Sequence, residues 1–136
     1  MESKITILDG AMGTMLQKAG LKPGEHPEVF GYNNPKIVTD IHKKYIEAGS
    51  DIVYTNTFGA NSHKLSGCEL SVDEAVKSAV HCAKEAAKKS GVRVALDVGP
   101  IGELLEPLGT LAFEEAYEVY KELMIAGEKY GVDLIV

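Results

Sequence analysis

The chain has 136 residues, of which 20 are acidic and 14 are basic, so its formal net charge is −6 at pH 7. This acidic balance argues against nucleic acid or an anionic membrane surface as a partner. No apolar run reaches the roughly 18 residues of a membrane-spanning helix and no apolar signal segment opens the sequence, so we expect a cytoplasmic protein of one domain.

Four short apolar runs predict β-strands. They lie at residues 5–8, 51–54, 93–96 and 133–136. Gly49, Gly91 and Gly131 each precede one of the last three runs by two positions. Glycine is favoured just past the end of a helix because it adopts a left-handed backbone without a Cβ penalty. Each of these three strands is therefore expected to be entered from a helix.

Helix signals occupy the segments between the predicted strands. A short helix is expected near residues 14–19, and Asn34-Pro35 is a typical helix start. Ser71 and Glu74 have the spacing of a capping box, which predicts a further helix after residue 71. Thr110 is a candidate cap for the last helix. We expect the inner face of that last helix to carry Phe113, Tyr117, Tyr120 and Met124.

The resulting β-α-β-α-β-α-β order predicts an α/β fold of parallel βα repeats with right-handed crossovers. Such repeats form either an open doubly wound sheet or a (βα)8 barrel. A complete barrel needs roughly 250 residues, and this chain supplies about four of the eight strands. On the residues alone, the chain corresponds either to half of a barrel or to a small open sheet.

Polar residues and glycines follow three of the predicted strands. They are Asp9 and Gly10 after the first strand, Asn56 and Thr57 after the second, and Asp97 and Gly99 after the third. In parallel α/β folds the ligand site lies at the carboxyl ends of the strands. The carboxylates can accept hydrogen bonds from an ammonium group or from loop amides, and the glycines let backbone N–H groups approach a ligand. One such loop is equally well explained as a turn, but three loops that end alike favour a ligand site.

Other residues are weaker candidates for chemistry. His63 could contact a ligand, although a loop histidine is more often solvated. Glu103 and Glu106 could form an acid/base couple, although a solvated loop is the better interpretation. Cys68 and Cys82 have no cysteine or histidine at metal-ligand spacing, so two reduced thiols are expected rather than a metal site or a disulfide.

Three segments of the sequence resemble a known family. The segment ILDGAMGTM (7–15) resembles the opening of the homocysteine S-methyltransferase family. Residues 33–61 resemble its second strand unit. The segment LDVGPIGELLEPLGT (96–110) resembles its third unit, in the form found in bacterial cobalamin-dependent methionine synthases. Three long motifs in the right order and spacing are far more specific than one glycine-rich loop.

The resemblance implies a (βα)8 barrel that binds homocysteine through zinc. The zinc would be held by cysteine thiolates from later strands and would keep the substrate thiol deprotonated. The thiolate would then attack the methyl group of methylcobalamin, with folate and cobalamin bound by further modules of the whole protein. By position, Asp9 and Gly10 would lie beside the amino-acid end of homocysteine. The near wall of the pocket would consist of Asn56, Thr57, Asp97 and Gly99.

The resemblance also implies that residues 1–136 are the N-terminal half of that barrel, truncated at strand four. Cys68 and Cys82 match no zinc-ligand position of the family, so we expect no metal ligands and no catalytic residue in this chain, and no methyl transfer by the chain alone. Because barrel strands one and four would lack their partners, we expect the isolated chain to self-associate.

Alternatives to this interpretation remain. The chain could be a small open-sheet ligand-binding module without catalysis, or part of another barrel enzyme. Within the family, the methyl donor could instead be betaine or S-methylmethionine.

Overall fold

The computed structural model describes residues 5–136. The helices are α1 (Met12–Lys18), α2 (Pro27–Asn33), α3 (Pro35–Glu47), α4 (Val72–Ala87) and α5 (Phe113–Tyr130), and the strands are β1 (Ile52–Tyr54), β2 (Arg93–Leu96) and β3 (Leu134–Ile135). No helix within residues 5–136 is long and apolar enough to cross a membrane.

The strands form a parallel sheet in the order β1-β2-β3, as the alternation of strands and helices predicts. Tyr54 lies opposite Ala95, and Leu96 lies opposite Ile135. Since consecutive strands are neighbours and run in the same direction, their carboxyl ends meet at one edge of the sheet.

The predicted first strand at residues 5–8 is reduced to an isolated bridge. Leu8 pairs with Ile52 in parallel, and the Asp9 N–H donates to the Ile52 carbonyl at 3.1 Å. The Asp51 carboxylate accepts the Ile7 N–H at 2.9 Å. The segment therefore lies beside β1 as expected, but a side chain replaces one of the backbone contacts that a regular ladder would make.

Helix starts follow the sequence signals in two cases out of three. Ser71 and Glu74 form the predicted capping box at the start of α4, and Pro35 occupies the first turn of α3. The expectation for Thr110 is wrong, because α5 begins at Phe113 after Ala112 and has no side-chain cap.

The predicted inner face of α5 is wrong for Phe113, Tyr117 and Met124, whereas Tyr120 is partly buried and packs beside Ala116 and Val119. Phe113 is 69% exposed and Tyr117 is 56% exposed. The buried residues of this helix are Ala116, Val119, Leu123, Ala126 and Gly127. A Cβ added at Gly127 would lie 2.6 Å from a Leu96 methyl group, so β2 packs directly on the helix backbone. Close approach to the sheet selects this small-residue face over the aromatic one.

The main core lies between α4, α5 and β2. It contains Val76, Val80, Leu96, Leu123 and Ala126, all at most 4% exposed. A second cluster joins α1 and α3 through Leu16, Val38 and Ile41. These two clusters support the segments that carry the strand ends.

Candidate functional site

The structure brings all six sequence-predicted site residues to the same edge of the sheet. Asp9 and Gly10 follow the bridge at Leu8, Asn56 and Thr57 follow β1, and Asp97 and Gly99 follow β2. Their clustering follows from parallel pairing of the three segments. Their role as ligand contacts stays a prediction.

A ring of hydrogen bonds joins the end of β1 to the end of β2. The Asp97 N–H donates to Thr55 Oγ1 at 3.2 Å, and the Thr57 hydroxyl donates to the Asp97 carbonyl at 2.8 Å. The two threonine oxygens are 2.7 Å apart. Because Thr57 uses its only hydroxyl proton on Asp97, Thr55 donates to Thr57. Both threonines are buried, so this ring fixes the backbone that carries Asp97.

Asn56 is committed to a protein contact as well. Its side-chain amide donates to the Pro27 carbonyl at 2.8 Å, at the start of α2, and the residue is buried. A Cβ added at Gly31 would lie 2.6 Å from that amide nitrogen, so glycine leaves room on α2 for the Asn56 side chain. Asn56 therefore links the carboxyl end of β1 to α2.

Glu28 is a buried charged residue that the sequence analysis missed. It lies in the first turn of α2, is 4% exposed, and accepts the Gly59 N–H at 2.6 Å. A glutamate that follows Pro27 near a helix start is ordinary, so the sequence held no signal for its burial. Only the fold shows that α2 turns this carboxylate towards the strand ends.

Burial of carboxylates dominates the electrostatics of the site, and repulsion between them adds to it. Burial raises the pKa of Asp97 to about 6, and the negative charges of Asp9 and Glu28 add to the effect. Burial also raises the pKa of Asp9, although its carboxylate accepts the Tyr54 N–H at 3.0 Å, which acts in the opposite direction. Such a set of carboxylates can bind a cationic group or hold a proton near neutral pH.

The two predicted site glycines are packed against protein atoms. A Cβ at Gly99 would lie 2.1 Å from the Phe58 carbonyl oxygen, and a Cβ at Gly10 would lie 2.8 Å from the Tyr45 ring. The Tyr45 hydroxyl donates to the Ala11 carbonyl at 3.0 Å. Close packing against backbone thus accounts for Gly99, and Gly10 packs on a side chain, while the approach to a ligand that the sequence analysis expected of both glycines stays a prediction.

The weaker candidates lie outside this cluster. His63 contacts Glu103 at 2.7 Å and Glu115 at 3.3 Å, so Glu103 is paired with a histidine instead of with Glu106. Cys82 is buried in α4, where its thiol donates to the Pro35 carbonyl at 3.4 Å and burial raises its pKa. Within residues 5–136 no three histidine, cysteine or acidic side chains are grouped so that they could hold a metal ion.

Comparison with known proteins assigns the chain to a family. The family model described as homocysteine S-methyltransferase matches residues 6–136. The chain belongs to the homocysteine S-methyltransferase family. This finding confirms the resemblance that the three sequence segments carry.

Two curated relatives of this family member are methionine synthases. The protein from Mycobacterium tuberculosis (strain ATCC 25618 / H37Rv) is 30% identical over 148 aligned positions, which cover 99% of this chain and 12% of the relative. The protein from Mycobacterium leprae (strain TN) is 37% identical over 76 positions, which cover 52% of this chain and 6% of the relative. The chain thus spans a small part of the length of both relatives.

Solved structures of the homocysteine methyltransferase MmuM from Escherichia coli share the fold. The oxidised and metallated forms both superpose with a TM-score of 0.82, at 22% and 21% identity. The match to the oxidised form covers 98% of this chain and 52% of that chain. The chain therefore spans about half the length of the solved neighbour.

Proposed function

We propose that this chain is the first half of a (βα)8 barrel, with residues 1–136 as its N-terminal part, and that the whole protein methylates homocysteine. The observation that carries the proposal is the gathering of Asp9 and Asp97 at the carboxyl edge of a parallel sheet in a chain of this family. The match to about half of a homocysteine methyltransferase supports the barrel assignment.

The chain's own residues would recognise the amino-acid end of the substrate. Asp9 and Asp97 repel each other, and no lysine or arginine within residues 5–136 forms an ion pair with either carboxylate. A substrate ammonium group placed between them would supply the missing positive charge. Asn56, Thr57, Gly10 and Gly99 would act by holding the backbone of this wall in place.

The methyl donor and the metal belong to the whole protein. The methionine synthase relatives favour methylcobalamin as donor over betaine or S-methylmethionine, with folate and cobalamin bound by other modules. The cysteines of this chain do not fit a zinc site, because Cys82 is buried in a helix and no metal-binding group of three exists among the described residues. Zinc ligands and thiol activation would therefore come from elsewhere in the protein, and the chain alone would be inactive.

A binding titration tests substrate recognition. We expect L-homocysteine to shift the amide NMR signals of residues 9–10 and 97–99 of this chain more strongly than 4-mercaptobutanoate, which has the same skeleton without the amino group. Asp97→Asn is expected to weaken homocysteine binding by roughly 10- to 150-fold, since a charge-assisted hydrogen bond contributes about 1.5–3 kcal/mol. Glu122→Gln is the control, because Glu122 is exposed on α5. Equal shifts with both compounds would contradict the proposal.

We also propose that the isolated chain self-associates through the two outermost strands of its sheet. Apolar residues are exposed at both sides: Ile5, Ile7 and Leu8 beside β1, and Ile135 and Val136 in and after β3. Burying such surface stabilises by about 25 cal/mol per Å2. Light scattering coupled to size exclusion is expected to show dimers or larger species at micromolar concentration. A cooperatively folding monomer at high micromolar concentration would contradict this.

A further inference from the structure

Glu28 is a buried charged side chain beside the strand ends whose placement the proposed substrate contacts leave unexplained. Its carboxylate is 4% exposed and accepts the Gly59 N–H at 2.6 Å. A Cβ at Gly59 would lie 2.9 Å from the same carboxylate oxygen, so no larger residue fits there without displacing it. Burying a charge is costly unless the charge is hydrogen-bonded, so the bond from the Gly59 N–H offsets part of the cost of burying this side chain.

The contact closes a set of restraints on residues 56–59. The preceding residue of α2, Pro27, accepts the Asn56 amide, and Glu28 accepts the Gly59 N–H. Between these two anchors, the Phe58 carbonyl lies directly against Gly99. The first turn of α2 therefore binds residues 56 and 59, the two ends of a short turn. Phe58, inside that turn, packs against Gly99 in the segment after Asp97.

We propose that Glu28 is a positioning residue of the site, acting through the Gly59 N–H to hold residues 56–59 against the Asp97–Gly99 segment. This inference rests on the proposed function for its relevance to substrate. In this proposal Glu28 does not contact the substrate itself. Its effect on binding would pass through the placement and charge of Asp97.

Two substitutions separate the roles of the hydrogen bond and the charge. Glu28→Gln keeps an oxygen that can accept the Gly59 N–H but removes the charge. Glu28→Ala removes both. The same two substitutions at exposed Glu122 are the matched controls, since they change the net charge equally without touching the site.

Amide hydrogen exchange measures the positioning role. We expect Glu28→Ala to lower the protection of Gly59 about tenfold or more, while Glu28→Gln keeps it within about threefold of the parent chain. The Val94 amide, which is hydrogen-bonded to Asp133 inside the sheet, reports whether the whole fold has loosened. Unchanged Gly59 protection in Glu28→Ala, or an equal loss at Gly59 and Val94, would overturn the positioning role. If Glu28→Ala does not fold, a loss confined to Gly59 in Glu28→Gln would overturn the claim that an acceptor oxygen suffices.

Titration of Asp97 measures the role of the charge. Since the Glu28 charge is one of the causes that raise the pKa of Asp97, Glu28→Gln is expected to lower the titration midpoint of the Asp97 carboxyl, seen by carbon-detected NMR, and Glu122→Gln is not. An unchanged midpoint would overturn this part. Failure of the parent chain to bind homocysteine would contradict the proposed function instead, and the exchange and titration results would still decide the role of Glu28.

Discussion

The loops that follow β1 and β2 leave the sheet at the same edge, but they are held in different ways. In the first loop, residues 55–61 are buried except for Phe58. Hydrogen bonds from Thr57, Asn56 and Gly59 tie it to β2 and α2. The second loop exposes Leu104 and Leu108, and its own backbone closes it through Leu105 and Leu111.

This difference indicates a division of roles at one edge of the sheet. The first loop has many partners in the rest of the chain, so it can place a neighbouring group such as Asp97 reproducibly. The second loop is anchored on α5 through Ile101 and Leu111, but between these two residues it has an exposed apolar surface. Four experiments test whether the two loops differ in this way.

Two added methyl groups, one directed at the first loop and one directed at the second, give the largest expected effect. A Cβ at Gly99 would lie 2.1 Å from the Phe58 carbonyl, and one at Gly109 would lie 2.0 Å from the Leu104 carbonyl. We expect Gly99→Ala to lower the free energy of unfolding by about 3 kcal/mol, because the first loop cannot shift. We expect Gly109→Ala to cost less, about 1–2 kcal/mol, because the exposed Leu104 and Leu108 leave this part of the second loop more room to move.

Denaturant unfolding of both variants checks this prediction. Gly13→Ala is the control, since a Cβ at Gly13 meets nothing within 4 Å and alanine favours the helix. Equal losses at Gly99 and Gly109 would remove the contrast between the loops.

The carboxylate held by the first loop should destabilise the folded chain at neutral pH. Because the pKa of Asp97 is raised to about 6, the folded state binds this proton more tightly than the unfolded state does. Its contribution to stability is therefore full below about pH 4 and is lost as the pH rises through about 6. After allowance for partial exposure, we expect Asp97→Asn to raise the free energy of unfolding at pH 7 by about 1–2 kcal/mol.

Unfolding measured from pH 4 to pH 7 tests this expectation, and the gain should vanish at the acidic end. A stability gain at pH 7 together with weaker homocysteine binding in the same variant would show that Asp97 lowers stability while it contributes to recognition. An Asp97→Asn variant that is less stable than the parent at pH 7 would contradict the electrostatic account.

The contact between His63 and Glu103, which joins the two loops, should also depend on pH, over a higher range than the effect of Asp97 does. The hydrogen bond from His63 to Glu103 raises the pKa of the imidazole, with smaller contributions from the charges of Glu103 and Glu115. Its stabilising effect is therefore present below the ordinary pKa of 6.5 and is lost as the pH rises through the higher folded value.

We expect amide exchange in residues 103–109 to speed up over that range, after correction for intrinsic rates. His63→Gln should remove the pH dependence, whereas His81→Gln on α4 should keep it. A pH dependence that survives in His63→Gln would show that the second loop is held by other groups.

The smallest effect is expected on the exposed surface of the second loop. Leu108 is 86% exposed. We expect Leu108→Ser to change the free energy of unfolding by no more than about 0.5 kcal/mol in denaturant titrations. A loss above about 1 kcal/mol would mean that this loop is packed as firmly as the first one.

Local signals in the sequence determined the repeating pattern of the fold. The glycines before β1, β2 and β3, the proline that starts α3 and the capping box of α4 all act within a few residues of chain. Parallel pairing then placed Asp9, Asn56 and Asp97 at one edge, because strands linked by helices must run in the same direction. These parts of the fold and the candidate site were predictable for that reason.

Contacts between distant segments decided what the sequence did not. Helix α5 turns Ala126 and Gly127 to the sheet and leaves Phe113 and Tyr117 exposed, because close packing on Leu96 requires small groups. Glu28 is buried because α2 lies over the loop after β1, and no local pattern records that placement. The sequence by itself determined most of the strands and helices and which polar residues follow the strands, although the first predicted strand is only a bridge and α2 was not predicted. Only the tertiary structure decided which of those residues are committed to protein contacts, because burial and hydrogen bonding at the strand ends depend on segments far apart in the chain.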